Sequence, residues 1–174
     1  WTDTDGHKWQ GIPLWLLVGR VDYSVSHSKD VKAFNDELAD KGYQVQVLDA
    51  LRDFFRHCSK HRDPGLAFHA VLRRLGREYV PYLPVAASGL AKEMPYVCLR
   101  VPTGGGKTLL ACHATGLAIS ELLHAERGVV LWLVPSNTIL EQTAAALRDP
   151  RHHYRRALEL SCGGVEVMTI EEAL

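Results

Sequence analysis

The chain has no charge of either sign to spare: Lys plus Arg is 20, Asp plus Glu is 20, and the formal net charge over 174 residues is zero. That excludes a polybasic nucleic-acid module as a global description. Any contact with a polyanion must come from local placement of charge and backbone donors. Long apolar runs are missing too. The longest, residues 12–18 and 129–135, fall well short of the ~18 residues of a membrane span. The four cysteines, at 58, 98, 112 and 162, lack the spacing of a zinc knuckle or a redox pair. Cys98 and Cys112 sit in apolar segments, where a free thiol behaves as a small hydrophobe, so a reducing, cytoplasmic compartment is expected. Internal repeats, low-complexity tracts and the basic-apolar-small layout of a signal peptide are all absent. The first residue is Trp, so a piece of a longer polypeptide is expected.

What is present is ordinary globular material, 47% hydrophobic and 23% charged, enough to bury a core. Residues 12–18 could form a buried strand and 21–26 an edge strand. Val31, Phe34 and Leu38 recur at helical spacing, with Gly42 to cap or interrupt them. Val47, Leu51, Phe54, Phe55 and Cys58 make one apolar stripe, with Arg52, Asp53 and Arg56 off it. A helix over 66–75 leads into a proline-rich loop. From residue 96 the pattern changes. Apolar strands are expected at 96–101, 129–134 and 165–168. Helices are expected at 107–123 and 137–147, and a last one opening at Thr169. Strand, helix, strand, helix, strand with unbroken apolar strands predicts an α/β fold with a parallel sheet covered on both faces.

Between the first of those strands and its helix lies Pro102-Thr103-Gly104-Gly105-Gly106-Lys107-Thr108. Strand, glycines, lysine, hydroxyl and helix stand in the order that a phosphate-binding loop requires. Three glycines let the backbone approach phosphate oxygens without Cβ clashes, and their amides join those of the new helix in one concavity. In that role Lys107 reaches the β- and γ-phosphates and the Thr108 hydroxyl ligates Mg²⁺. The general pattern would put a glycine at 101, where this chain has Val101. A turn of flexible glycines followed by an accidental Lys-Thr is the bland alternative.

The run from Tyr96 to Leu110 resembles motif I of superfamily 2 helicases. It is most similar to the restriction subunit of type III restriction enzymes and related DEAD/DEAH-box helicase-like proteins, in which the first glycine is commonly absent. A second block, Leu131 to Gln142, resembles motif Ia, the strand-turn-helix that touches the tracking strand. Pro135 stops the strand, and Ser136, Asn137 and Thr138 put short polar groups and amides at a helix start. Thr138 with Glu141 matches a capping box. A third block, Tyr43-Gln44, resembles the aromatic-glutamine opening of the family's adenine-reading segment. A glutamine amide offers donor and acceptor together to the N6 and N7 edge.

The resemblance implies a P-loop NTPase, RecA-like parallel sheet flanked by helices. It would be incomplete at the C-terminus, with a helical N-terminal extension. Residues 1–40 stay unassigned, and 41–174 would be the N-terminal portion of a helicase ATP-binding domain. It further implies ATP and Mg²⁺ as cofactors. Thr103, Gly104, Gly105, Gly106, Lys107, Thr108 and Gln44 would bind nucleotide, with Lys107 and Thr108 catalytic. Pro135, Ser136, Asn137 and Thr138 would meet nucleic acid, DNA ahead of RNA. A methyltransferase or specificity subunit or a nuclease domain would be the companion, and no membrane is involved. The function implied is an ATP-driven helicase or translocase motor.

The acidic pair that such a motor needs to orient water is not found after Lys107. Glu171-Glu172 is the nearest candidate, but Thr169-Ile170-Glu171-Glu172 fits a helix-starting capping box better. The chain alone is therefore expected to be inactive. The alternative function is a catalytically incomplete nucleotide-binding or interaction module. His57 and His61 share a helix face, yet no third metal ligand is visible. The basic run 151–156 reads first as a solvated helix face, and Trp132 as core.

Overall fold

A computed structural model describes residues 42–84, 91–101 and 104–174. The strands expected at 12–18 and 21–26 and the helix expected from Val31 lie outside the described residues.

Helix α1, Gly42–His61, forms where the apolar stripe predicts it. Leu51, Phe54, Phe55 and Cys58 are buried, with Phe55 at 0% exposure, and Lys60 and His61 stand in the last turn, where positive charge suits the helix dipole. Helix α2, Pro64–Arg74, has explicit signals at both ends. Asp63 caps it by accepting from the Leu66 amide at 3.0 Å, and Pro64 occupies the first turn, where a missing N–H costs nothing. At the other end Gly76 adopts φ 61°. The Arg77 amide donates to Leu72 (2.9 Å) and the Gly76 amide to Arg73 (3.1 Å), which is a Schellman closure. Helices α1 and α2 pack together and are bridged by Arg74 and Asp53 at 2.8 Å.

Helix α3, Lys107–Leu117, starts at the glycine loop and lies between two cores. On one side Ala114 packs with Leu51, Phe54 and Phe55 of α1 and with Ala67 and Val71 of α2. On the other, Cys112 meets Leu147 of α4 (Asn137–Arg148) and Ala157 and Leu158 of α5 (His153–Cys162). Cys58 and Cys112 are buried, and burial pushes each thiol up to about 12. Cys98, expected to be a small core hydrophobe, is instead exposed. A last turn, α6 (Ile170–Ala173), starts as expected. Thr169 Oγ1 accepts from the Glu172 amide, and a Glu172 carboxylate oxygen accepts from the Thr169 amide, which completes the capping box.

The helix expected to run to residue 123 leaves α-geometry at 117 and continues as a π-helical segment, Ala118–Leu122. The Leu123 amide reaches back to Ala118 at 3.0 Å, a five-residue span. Ala118, Ile119 and Leu122 are buried there. Arg56 of α1 grips Glu121 with two nitrogens, at 2.8 and 2.9 Å. That grip, with the charge of Arg52, holds the Glu121 carboxyl below the usual range.

The parallel sheet is the main correction. Among the described residues there is no strand, and the architecture is helices around two cores. Segments 96–101, 129–134 and 165–168 join no ladder. Each nonetheless shows part of the two-residue rhythm of exposure that its apolar content predicts. Val97 and Leu99 pack on the first core while Cys98 and Arg100 are exposed. Trp132 packs on the second core between exposed Leu131 and Leu133, and Val165 and Val167 do so beside exposed Glu166 and Met168. The physical reason is that apolar content sets burial against helices, whereas a strand also needs a neighbouring backbone in register. These segments are covered on one face by helices rather than on both. Trp132, read from the sequence as core, is half-buried and packs against the second core from its edge.

Helices α3 and α5 approach closely at Gly116. A Cβ built on Gly116 would lie 2.2 Å from the Ser161 Cβ and 3.2 Å from its Cα. Gly116→Ala should therefore cost about 1–3 kcal/mol through overpacking, read as a lowered Tm. Ser161→Gly should recover part of that loss. Gly42→Ala, where nothing lies within 4 Å of a built Cβ, should be neutral or mildly stabilising. An unchanged melt for Gly116→Ala would mean that α3 and α5 do not meet at this spot.

Candidate nucleotide-binding site

The site is built at the start of α3. Gly104 and Gly106 adopt φ 72° and 76°, left-handed values that a side chain would strain. Gly106 is the N-cap. Its carbonyl accepts from the Leu110 amide at 2.9 Å, and no side chain caps the helix start. A helix beginning this way offers amides and the positive end of its dipole to an anion. Lys107 and Thr108 follow, both half-buried. Thr103 lies outside the described residues.

Gly105 and Gly106 are buried. The Gly105 carbonyl accepts two hydrogen bonds from the first turn of α1: from the Tyr43 hydroxyl at 3.1 Å and from Gln44 Nε2 at 2.9 Å. Gln44 is only 9% exposed. The two expected parts of a nucleotide site, separated by 61 positions in the chain, are thus brought together. A carbonyl can only accept, so the amide orientation of Gln44 follows from its partner. One of its two N–H bonds is used on the loop. The other N–H and Oε1 are not involved in that bond. Tyr43 as a loop partner was not foreseen. Its signal in the sequence is only its adjacency to Gln44.

The Thr108 side chain stands near Tyr154 of α5. Burial pushes the Tyr154 phenol above its ordinary value, and the nearby Thr108 hydroxyl draws it part of the way back. No sequence signal links these two residues. One turn and a half along α3, His113 is half-buried and its imidazole is held below the ordinary value by desolvation.

The motif Ia residues stand apart from this loop in the sequence, at the start of α4. Pro135, Ser136, Asn137 and Thr138 are all exposed. Ser136, not Thr138, is the N-cap, its hydroxyl accepting from the Ile139 amide at 3.4 Å. The Thr138–Glu141 capping box is therefore corrected. The third helical residue is Ile139, which has no side-chain acceptor to return the bond. In the basic run, His152 caps α5 through Nδ1, Arg151 pairs with Asp149 at 3.5 Å, and Arg155 pairs with Glu159 at 2.7 Å. His57 and His61 stack at 5.8 Å, and the described residues contain no group of three or more ligands able to hold a metal. Among those residues no helix is long and apolar enough to cross a membrane.

No curated protein and no solved structure matches the chain. A family model does: that of the type III restriction enzyme res subunit, over residues 37–169. The matched stretch takes in Gln44, the glycine loop and the start of α4, and the chain belongs to the type III restriction enzyme res subunit family.

Proposed function

We propose that residues 41–174 are the ATP-binding front portion of a nucleic-acid motor domain, coupling ATP hydrolysis to movement on DNA in the full-length protein. The observation that supports this best is the meeting of Gln44 with the glycine loop at Gly105. A loop of flexible glycines with no ligand would not call for a buried amide side chain at its middle carbonyl.

In this reading the triphosphate lies along the glycine amides and the start of α3, and Lys107 neutralises the β- and γ-phosphates. The remaining N–H and Oε1 of Gln44 suit N7 and the N6 amino group of adenine. The donor set also fits a hard divalent cation, since Thr108 presents a hydroxyl oxygen where the loop enters the helix. Mg²⁺ bound there would neutralise phosphate charge. At the start of α4, exposed Ser136, Asn137 and Thr138 give a helix N-terminus with short polar side chains, which meets a backbone phosphate without net positive charge. A methyltransferase or specificity subunit or a nuclease domain is the proposed companion.

A second reading is a nucleotide-binding or interaction module without turnover. The two readings part on hydrolysis by the full-length protein. Lys107→Ala in that protein should lower kcat/KM for ATP by about 100-fold or more, since a single transition-state charge donor is worth that much, with the far-UV spectrum and Tm retained. Unchanged turnover would remove the motor. Replacing Ser136 and Asn137 together by Ala should weaken single-stranded DNA binding several-fold at low salt and leave ATP affinity alone. Equal DNA binding by the double variant would remove α4 from the nucleic-acid path.

A further inference from the structure

We propose that Tyr43 is a positioning residue for the glycine loop: its hydroxyl, bonded to the Gly105 carbonyl, holds the Gly105–Gly106 peptide with its N–H turned toward the phosphate cradle. This rests on the nucleotide-site reading above and adds a residue and a mechanism to it.

In a trans peptide the C=O and the next N–H point in opposite directions, and no cis bond occurs among the described residues. With the Gly105 oxygen bonded toward the first turn of α1, the Gly106 N–H points away from α1. Gly105 sits between two glycines with φ above +70°, so side-chain sterics do little to prevent its peptide from flipping. A flipped peptide would present a carbonyl oxygen to the phosphates in place of a donor. The two bonds from α1 set the orientation instead.

Tyr43 and Gln44 are not equivalent in this. A glutamine amide has a second N–H and an oxygen for other work, whereas a phenol has one proton. That proton goes to Gly105 at 3.1 Å. The brace is stiff because α1 is itself anchored on α3 and the π-helical segment that continues it: Leu51, Phe54, Phe55 and Cys58 share one core with Ala114, Ala118 and Leu122. The helix that the loop starts and the helix that holds the loop are thus fixed to each other.

The test is Tyr43→Phe in the full-length protein, which keeps the ring and removes only the hydroxyl. Affinities are measured for ATP, for inorganic tripolyphosphate and for adenosine, with Mg²⁺ present, and Lys107→Ala is run beside it. One lost hydrogen bond should weaken ATP and tripolyphosphate about two- to twelvefold and leave adenosine binding unchanged. Equal loss for adenosine and tripolyphosphate would mean that the ring acts on the base or on the fold, and no loss at all would mean that the hydroxyl is idle. Either overturns the proposal. If instead the unmutated protein binds neither ATP nor tripolyphosphate, and Lys107→Ala does not differ from it, the nucleotide reading itself fails. Should Tyr43→Phe not fold, amide exchange in the unmutated protein decides. The Gly106 N–H should exchange more slowly with tripolyphosphate bound, and unchanged exchange would overturn the role.

Discussion

Helix α3 is packed on both sides, and its first residues inherit their position from that packing. Ala114 belongs to the core shared with α1 and α2, while Cys112, two residues earlier, belongs to the core shared with α4 and α5. A helix held along two faces cannot roll or slide without opening one core, because interiors packed near crystal density yield little. The small residues on α3 make this possible. Gly116 lets Ser161 approach to a distance that any side chain would forbid. Thr115 stays buried because its hydroxyl returns to the Ala111 carbonyl at 3.0 Å. The glycine loop is the point where this rigid helix meets a segment that could otherwise take many shapes.

The local order of the loop comes from the same source. α1 reaches α3 through a hydrophobic face and reaches the loop through two polar side chains at its own N-terminal end. Apolar contacts are without direction but strong in sum. Hydrogen bonds add little net energy but fix orientation. The division is visible along α1 itself: Leu51 to Cys58 supply burial, and Tyr43 and Gln44 supply aim. Surface ion pairs tie α1 to its other neighbours, Arg56 to Glu121 of the π-helical segment and Asp53 to Arg74 of α2. At exposed sites such pairs contribute little to stability.

The helices were legible because their signals are local. The stripe from Leu51 to Cys58 and the Thr169–Glu172 box all act within a few residues. The turn of glycines at the start of α3 was legible for the same reason, since its signals are compressed into Gly104 to Thr108. The sheet was misjudged because a strand is a pairing between distant segments, and apolar runs such as 129–134 report only that burial is favourable. The contact of the site that escaped notice is also long-range. Tyr43 with Gly105 joins residues with no periodic or spacing relation. Ser136 displaced Thr138 as the cap because two candidate capping residues lay within one turn. Which one caps depends on where the preceding backbone leaves its extended conformation.

A chain with zero net charge is an unlikely-looking host for a polyphosphate, yet the proposed site needs no excess of cations. The potential that matters acts over a few ångströms and comes from oriented dipoles. Amides at the start of α3 and one lysine suffice if they converge, and convergence is a matter of backbone conformation. That is why the left-handed values at Gly104 and Gly106 and the orientation of the peptide between them bear so heavily on the reading. A basic surface would attract polyanions from a distance, but it would lose most of that attraction in salt. A half-buried cradle of fixed donors keeps its preference at short range, where the distinction between phosphate and other anions is made. The rigidity of α3 and the brace from α1 are, on this argument, what stand in for the missing charge.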